Sequence, residues 1–277
     1  MYNKIISKKE SLLAIKYMNY INYFFRTVED GVPLKPYGMT HIIILSIFFV
    51  SILAISNKKF GLNNKNINNK FLLSLASIIL IDQIILYTWL ISSGNFKLNI
   101  SLPLYHCRIS VVFLLIGIFT NKKFFKLMTV FWGGLGSAMA MTIPDLYKYK
   151  FPHYTNFQFF IVHIILGLVV IDLLFVDKIK INIKDLRKIL IFTNIYNIIL
   201  IGINLYIGKI YPDTNYGYLV AVPGGYTLLN NKILHGLIMT LLFNIATIGL
   251  YKLFTKKYEE KNIWEISKSL VKIQSIE

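Results

Sequence analysis

Seven long apolar stretches follow one another along the chain: Thr40–Ser56, Phe71–Ile91, Leu102–Thr120, Phe124–Ile143, Phe157–Val176, Ile189–Ile207 and Ile233–Phe254. Each is near the length needed to cross a hydrocarbon core of roughly 30 Å. Lipid offers backbone groups no partner, so each run must satisfy its own peptide hydrogen bonds, and a helix does that within one segment. The expected fold class is therefore all-α, a polytopic membrane bundle of about seven transmembrane helices. Charged residues make up 16% of the chain, against about 25% in a soluble domain. The fourth run carries Gly133, Gly134, Gly136, Ser137, Ala138 and Ala140, which suits a slim helix packed closely against neighbours.

Three regions follow from this pattern. Residues 1–38 form an N-terminal segment in which Leu12, Leu13, Ile15, Tyr17, Met18, Ile21, Phe24 and Phe25 fall on one helical face, as in an interfacial helix. Gly31, Pro33, Pro36 and Gly38 then break the chain. Residues 39–255 are the bundle. Residues 256–277 form a charged tail able to make a soluble helix.

Loop charges give an orientation. The loops after spans one, three and five hold twelve Lys and Arg, and the opposite loops hold five. The positive-inside rule puts the first set and the C-terminus in the cytoplasm of a cell membrane. The N-terminus then lies outside, against the trend of Lys4, Lys8, Lys9, Lys16, Arg26 and Lys35; a crossing by residues 11–27 reconciles the two. The net charge of +17 is read as topology and anionic-lipid contact, not as nucleic-acid binding. One Cys excludes an internal disulfide and a Cys-based metal cluster. No HExxH, P-loop or GxGxxG spacing occurs, so no metal and no cofactor are expected. The last span has no lysine where a retinal Schiff base would be expected, Lys252 lying at its end.

The chemistry-capable residues collect toward the outer side. His106, Cys107 and Arg108 head the third span, and Cys107 lies roughly 7 Å below its start at the helical rise. His163 lies roughly 9 Å into the fifth span by the same rise. Asp145, His153, Asn204 and the loop Tyr211–Pro223, with Asn215 and Tyr216, fall at that end too. Ionisable groups at membrane depth are costly, so each is a candidate site residue. Adjacent helical residues point about 100° apart, so His106 and Arg108 cannot both face the Cys107 sulfur, and His163 is the better base. Asp145 caps its span or pairs with Arg108. Asp82 makes a structural hydrogen bond or serves a proton relay. Asn194, Asn197 and Asn204 read as interhelical glue, and His41 and His235 as residues at span ends.

Leu102-Pro-Leu-Tyr-His-Cys107, the glycine-rich run ending in Pro144-Asp145, Phe157-Gln-Phe-Phe-Ile-Val-His163, and Gly202-Ile-Asn204 followed by Asn215-Tyr-Gly-Tyr-Leu-Val-Ala-Val-Pro223 occur in order. Together they resemble the YwaF-like family of bacterial integral membrane proteins over roughly residues 38–254. That family is distantly similar to a eukaryotic acyltransferase that remodels ether phospholipids, and the resemblance implies acyl transfer between membrane lipids. Its third span usually starts Leu-Pro-Leu-His-x-Cys; here Tyr105 holds the His position. Cys107 and His163 therefore carry over, and His106 does not. The expected activity is phospholipid acyl transfer or hydrolysis, with Cys107 as nucleophile and His163 as base. His106, Arg108, Asp145, Asn204, Asn215 and Tyr216 would contact substrate. The alternatives are a small-solute transporter, with Asp82, Asn194 and Asn197 lining a path, or a non-catalytic membrane binding protein.

Overall fold

A computed structural model describes residues 16–222 and 231–274, with side chains to residue 255. The described residues contain helices and no strand. They are α1 (described over 16–24), α2 (Met39–Ser56), α3 (Lys65–Ser92), α4 (His106–Thr120), α5 (Lys123–Thr142), α6 (Tyr154–Val176), α7 (Ile183–Ile207) and α8 (Lys232–Gln274). Six of them, α2, α3, α5, α6, α7 and the Lys232–Thr255 part of α8, are long and apolar enough to cross a membrane. Apolar side chains remain exposed in helical register, such as Ile191, Ile195, Ile198 and Ile199 on α7. A soluble monomer rarely exposes such a patch, and lipid covers it naturally.

The third span begins later than the apolar run suggests. Pro103 disfavours helical backbone at Leu102, and the Leu102 N–H is taken by the Tyr216 hydroxyl at 3.1 Å. Tyr105 is extended and serves as N-cap. The α4 helix therefore has 15 residues, and Cys107 is its second, roughly 2–3 Å from the start and not 7 Å. The N-terminal reading also changes. Over 16–23 the α1 residues are exposed, while Leu12, Leu13 and Ile15, with most of the 11–27 question, lie outside the described residues. α8 runs unbroken to Gln274, so residues 256–274 continue the last span as helix.

The bundle is built around α6, two-thirds of whose apolar window is buried. α2, α3, α4 and α5 all pack on it. Close approach depends on small residues. A Cβ on Gly167 would sit 2.6 Å from Phe48 and 2.8 Å from the Ser137 hydroxyl, which itself donates to His163 O at 2.7 Å. Gly167→Val should therefore force α2 and α5 off α6 and cost about 3 kcal/mol, the upper range for overpacking. A thermal unfolding midpoint in detergent that stays within a degree or two of wild type would contradict it. The α5 residues Met128 to Trp132 are fully buried, and Trp132 donates to Thr193 at 2.9 Å. A π-helical turn, Thr129–Gly133, lies in this stretch, yet α5 stays continuous.

The loops at the end bearing Cys107 are tied down by the segment before α2. Arg26 pairs with Asp30 and donates to Lys150 O at 2.7 Å and Pro152 O at 3.1 Å. Trp89 donates to Phe25 O, and Asn95 and Tyr149 donate to Thr27 O. His41 is fully buried and donates to Met141 O at 3.0 Å, binding α2 to α5. His153 stacks on Tyr149 with centroids 3.7 Å apart. Its Nε2–H donates to Arg26 O at 2.9 Å, and its Nδ1 accepts the Thr155 N–H as the α6 N-cap.

That cap requires an unprotonated Nδ1. Burial, first of all, holds the imidazole below its ordinary 6.5. The neutral form is the one the fold stabilises, so stability is full above the unfolded value and falls as pH drops below 6.5 toward the lowered folded value. Hydrogen exchange of residues 153–156 should accelerate in that window. His153→Asn, which keeps a capping oxygen, should remove the pH dependence; an unchanged profile in the variant would contradict the assignment.

Candidate functional site

Two chambers meet at Cys107 and His163. One, of about 280 Å³, is lined by polar groups that include Arg108, Tyr147, Lys148, Gln83, Gln158 and Glu29. The other, of about 300 Å³, is mainly apolar, with Leu135, Gly136, Met139, Ala140, Met239 and Phe243 among its walls. Tyr105, Cys107, Asp145, Phe159, His163 and Tyr218 border both. Cys107 opens α4, and His163 is the tenth residue of α6. Since both reach the same two spaces, α6 must begin higher than α4 along the bundle; the residue count alone placed them level for the wrong reason.

The site has the parts that nucleophilic catalysis needs. His163 is buried, and its Nδ1–H donates to Phe159 O at 2.6 Å. A carbonyl can only accept, so the proton sits on Nδ1 and the lone pair on Nε2, the tautomer of a general base. Cys107 is unpaired. It lies where the first-turn N–H groups of α4 have no intrahelical acceptor. A Cβ on Gly136 would lie 3.2 Å from the Cys107 Cβ, so this glycine lets α5 pass close to Cys107.

Arg108 reaches back over the loop before α4. Its Nη1 donates to Ile100 O at 2.8 Å and Leu102 O at 3.3 Å, and its Nη2 to the Tyr147 hydroxyl at 3.3 Å. Its guanidinium stands 5.4 Å from the Tyr105 ring centroid. Among the described residues it forms no ion pair, so its charge is free to meet an anion in the polar chamber. Asp145 is engaged elsewhere, accepting the Tyr218 hydroxyl at 2.8 Å. Burial, then the Asp145 charge, push the Tyr218 phenol above its ordinary 10, so it remains a neutral donor.

Asn204, Asn215 and Tyr216 hold the scaffold, while His106 ties α4 to α7 and also borders the apolar chamber. Asn204 accepts the Tyr216 N–H at 2.7 Å and donates to Tyr216 O at 2.8 Å. The Tyr216 hydroxyl donates to Leu98 O at 2.6 Å. Asn215 accepts from Val220 and Ala221 and donates to Ala221 O. None of these three borders either chamber; together they pin the loop after α7 to the loop before α4. That loop continues past Val222 to Pro223, which lies outside the described residues. His106 faces away from Cys107 toward α7. Its Nε2–H donates to Asn197 at 2.8 Å, and it stacks on Phe243 with centroids 4.9 Å apart. Gly217 is left-handed, and a Cβ there would come within 2.9 Å of the His106 ring. His235 donates to Tyr218 O at 3.3 Å.

Sequence reasoning missed Tyr147, Tyr218, Gln83 and Gln158. Asp82 accepts from both glutamines, at 3.0 and 3.2 Å, and so fixes two side chains on the wall of the polar chamber. Gln83 and Gln158, each inside an apolar run, were the signals available. Asn194 accepts from Asn244 at 2.8 Å and is interhelical glue as expected. Among the described residues no group of three His, Cys, Asp or Glu side chains could hold a metal.

No curated protein matches the chain, and no solved structure does. One family model does, over residues 36–261, from just before α2 to just beyond the last span. That match covers all six long apolar helices and every chamber-lining residue except Glu29, and the chain belongs to the TMEM164 family of transmembrane proteins.

Proposed function

We propose that this protein transfers acyl groups between membrane phospholipids through Cys107 and His163. The observation that carries the reading is the position of this pair, at the junction of a polar and an apolar chamber. A phospholipid ester has the same division, with a phosphate on one side of its carbonyl and a hydrocarbon chain on the other. The motif resemblance to YwaF-like proteins points the same way.

His163 Nε2 takes the thiol proton as Cys107 Sγ attacks the ester carbonyl carbon. The oxyanion that forms faces the free N–H groups at the start of α4, an arrangement that stabilises developing charge. The intermediate collapses with cleavage of the carbon–oxygen bond to glycerol. His163 returns its proton to that oxygen, leaving a lysolipid and a Cys107 thioester. A lysolipid hydroxyl then attacks the thioester, His163 takes its proton, and the thiol is restored; water in its place gives hydrolysis. Arg108 holds the phosphate, since its charge has no carboxylate partner among the described residues. By the loop charges, the site opens to the outer leaflet of the cell membrane with the C-terminus in the cytoplasm.

A transporter would need Asp82, Asn194 and Asn197 on a shared path. Of these only Asn197 borders a chamber; Asp82 and Asn194 are spent on Gln83, Gln158 and Asn244. The test is purified protein in proteoliposomes of acyl-labelled phosphatidylcholine with added lysolipid. A hydroxylamine-sensitive label on Cys107, and label in the acceptor, is the expected result. Neither product, with solute flux in the same vesicles, would replace this reading with the transporter.

A further inference from the structure

The apolar chamber lies between two helices that do not pack on each other at that level. α5 packs on α4 and α6, and α8 packs on α7. Toward their inner ends α5 and α8 meet through Phe131 and Phe254, with centroids 6.4 Å apart, and through Trp132 and Phe243, 6.1 Å apart, so that Phe243 forms the floor of the gap. Toward the Cys107 end they part, and the chamber fills the gap. One wall is the α5 stripe Leu135, Gly136, Met139, Ala140 and Ile143, and the other is Met239 and Phe243 on α8. Met139 and Ile143 are 52% and 64% exposed, so this edge of the chamber faces the surface that lipid covers. The cleft is thus open sideways, closed at its inner end, and bordered by the nucleophile.

We propose that the cleft between α5 and α8 is a lateral portal that admits the acyl chain of a phospholipid directly from the bilayer, with Ala140 and Met239 among its lining residues. The inference rests on the acyl-transfer reading for its occupant. Three features favour a chain over a small solute. The walls are hydrocarbon-like, the opening is toward lipid, and the polar chamber continues from the same point, where Arg108 can hold the headgroup. Ala140 leaves width for a chain, whereas a larger residue there would narrow the gap between α5 and α8.

The test uses the full-length protein in proteoliposomes containing phosphatidylcholine with a diazirine near the end of one acyl chain. After irradiation, adducts are mapped by mass spectrometry, and acyl groups on Cys107 are released with hydroxylamine in parallel. Adducts on Met139, Ala140, Met239 or Phe243 are expected beside those on the lipid-exposed face of α7. Ala140→Trp should reduce the Met239 and Phe243 adducts roughly tenfold, the discrimination a misfitting apolar pocket imposes, and leave the α7 adducts unchanged. Met239→Trp serves as the second variant if Ala140→Trp does not fold. Adducts confined to exposed faces, with a thioester still formed on Cys107, would overturn the portal. Adducts in the cleft without any thioester would support the portal as a lipid site and overturn acyl transfer.

Discussion

Cys107→Ala should abolish acyl transfer, lowering the rate by about 10³-fold or more, because it removes the attacking atom of the covalent route. Cys107 is the one cysteine in the chain, so any thioester must form there. The replacement removes only the sulfur at a site bordered by open space. The thermal midpoint should therefore stay near wild type, which separates loss of chemistry from loss of fold. Cys107→Ser gives a sharper comparison. It keeps an attacking atom of similar reach but makes it far less acidic than a thiol, so it should retain at most a small residual rate. The measurement is movement of labelled acyl groups from phosphatidylcholine to lysolipid by purified protein. An alanine variant that keeps full activity would remove the nucleophile assignment and with it the covalent route.

Much of this architecture was legible because lipid imposes simple rules on a chain. Backbone groups must be paired within each segment, so apolar run length located the spans, although α3 and α7 each start six residues before their runs and α8 continues twenty residues past its own. The third span was the instructive case. Hydropathy alone runs the third span back to Leu102, but Pro103 and the Tyr216 hydroxyl hold that stretch as a turn. Hydropathy is blind to such contacts, which arrive from residues more than a hundred positions away. The same blindness divided the candidate site. Cys107, His163 and Arg108 stand out as costly groups in apolar sequence, and the fold brings all three to the polar chamber. Asn204, Asn215 and Tyr216 look equally polar from the sequence, yet their hydrogen bonds are spent on fixing a loop. Tyr218 and Tyr147 gave no signal, because tyrosines near span ends are commonplace.

His163→Ala should lower acyl transfer by about 10²–10⁴-fold, the range of a positioned general base. The size of that loss does not by itself distinguish a base from a packing residue, since His163 also contacts the Phe159 ring at 4.5 Å. Two further readouts do. Without its base, the thiol can react only when solvent has already removed its proton. The variant's rate should therefore climb with pH, about tenfold per unit, while the wild type has levelled off. Added imidazole should also restore part of the alanine variant's activity by diffusing into the space the ring leaves. His163→Phe fills that space without a basic nitrogen and should be as inactive as alanine, with no rescue. The tautomer argument predicts a further asymmetry. His163→Gln places one amide group near the ring but offers no nitrogen lone pair, so it should preserve the fold and not the rate. Activity within about threefold of wild type in His163→Ala, or a variant whose pH profile parallels the wild type, would leave Cys107 without the base that its chamber was read to provide.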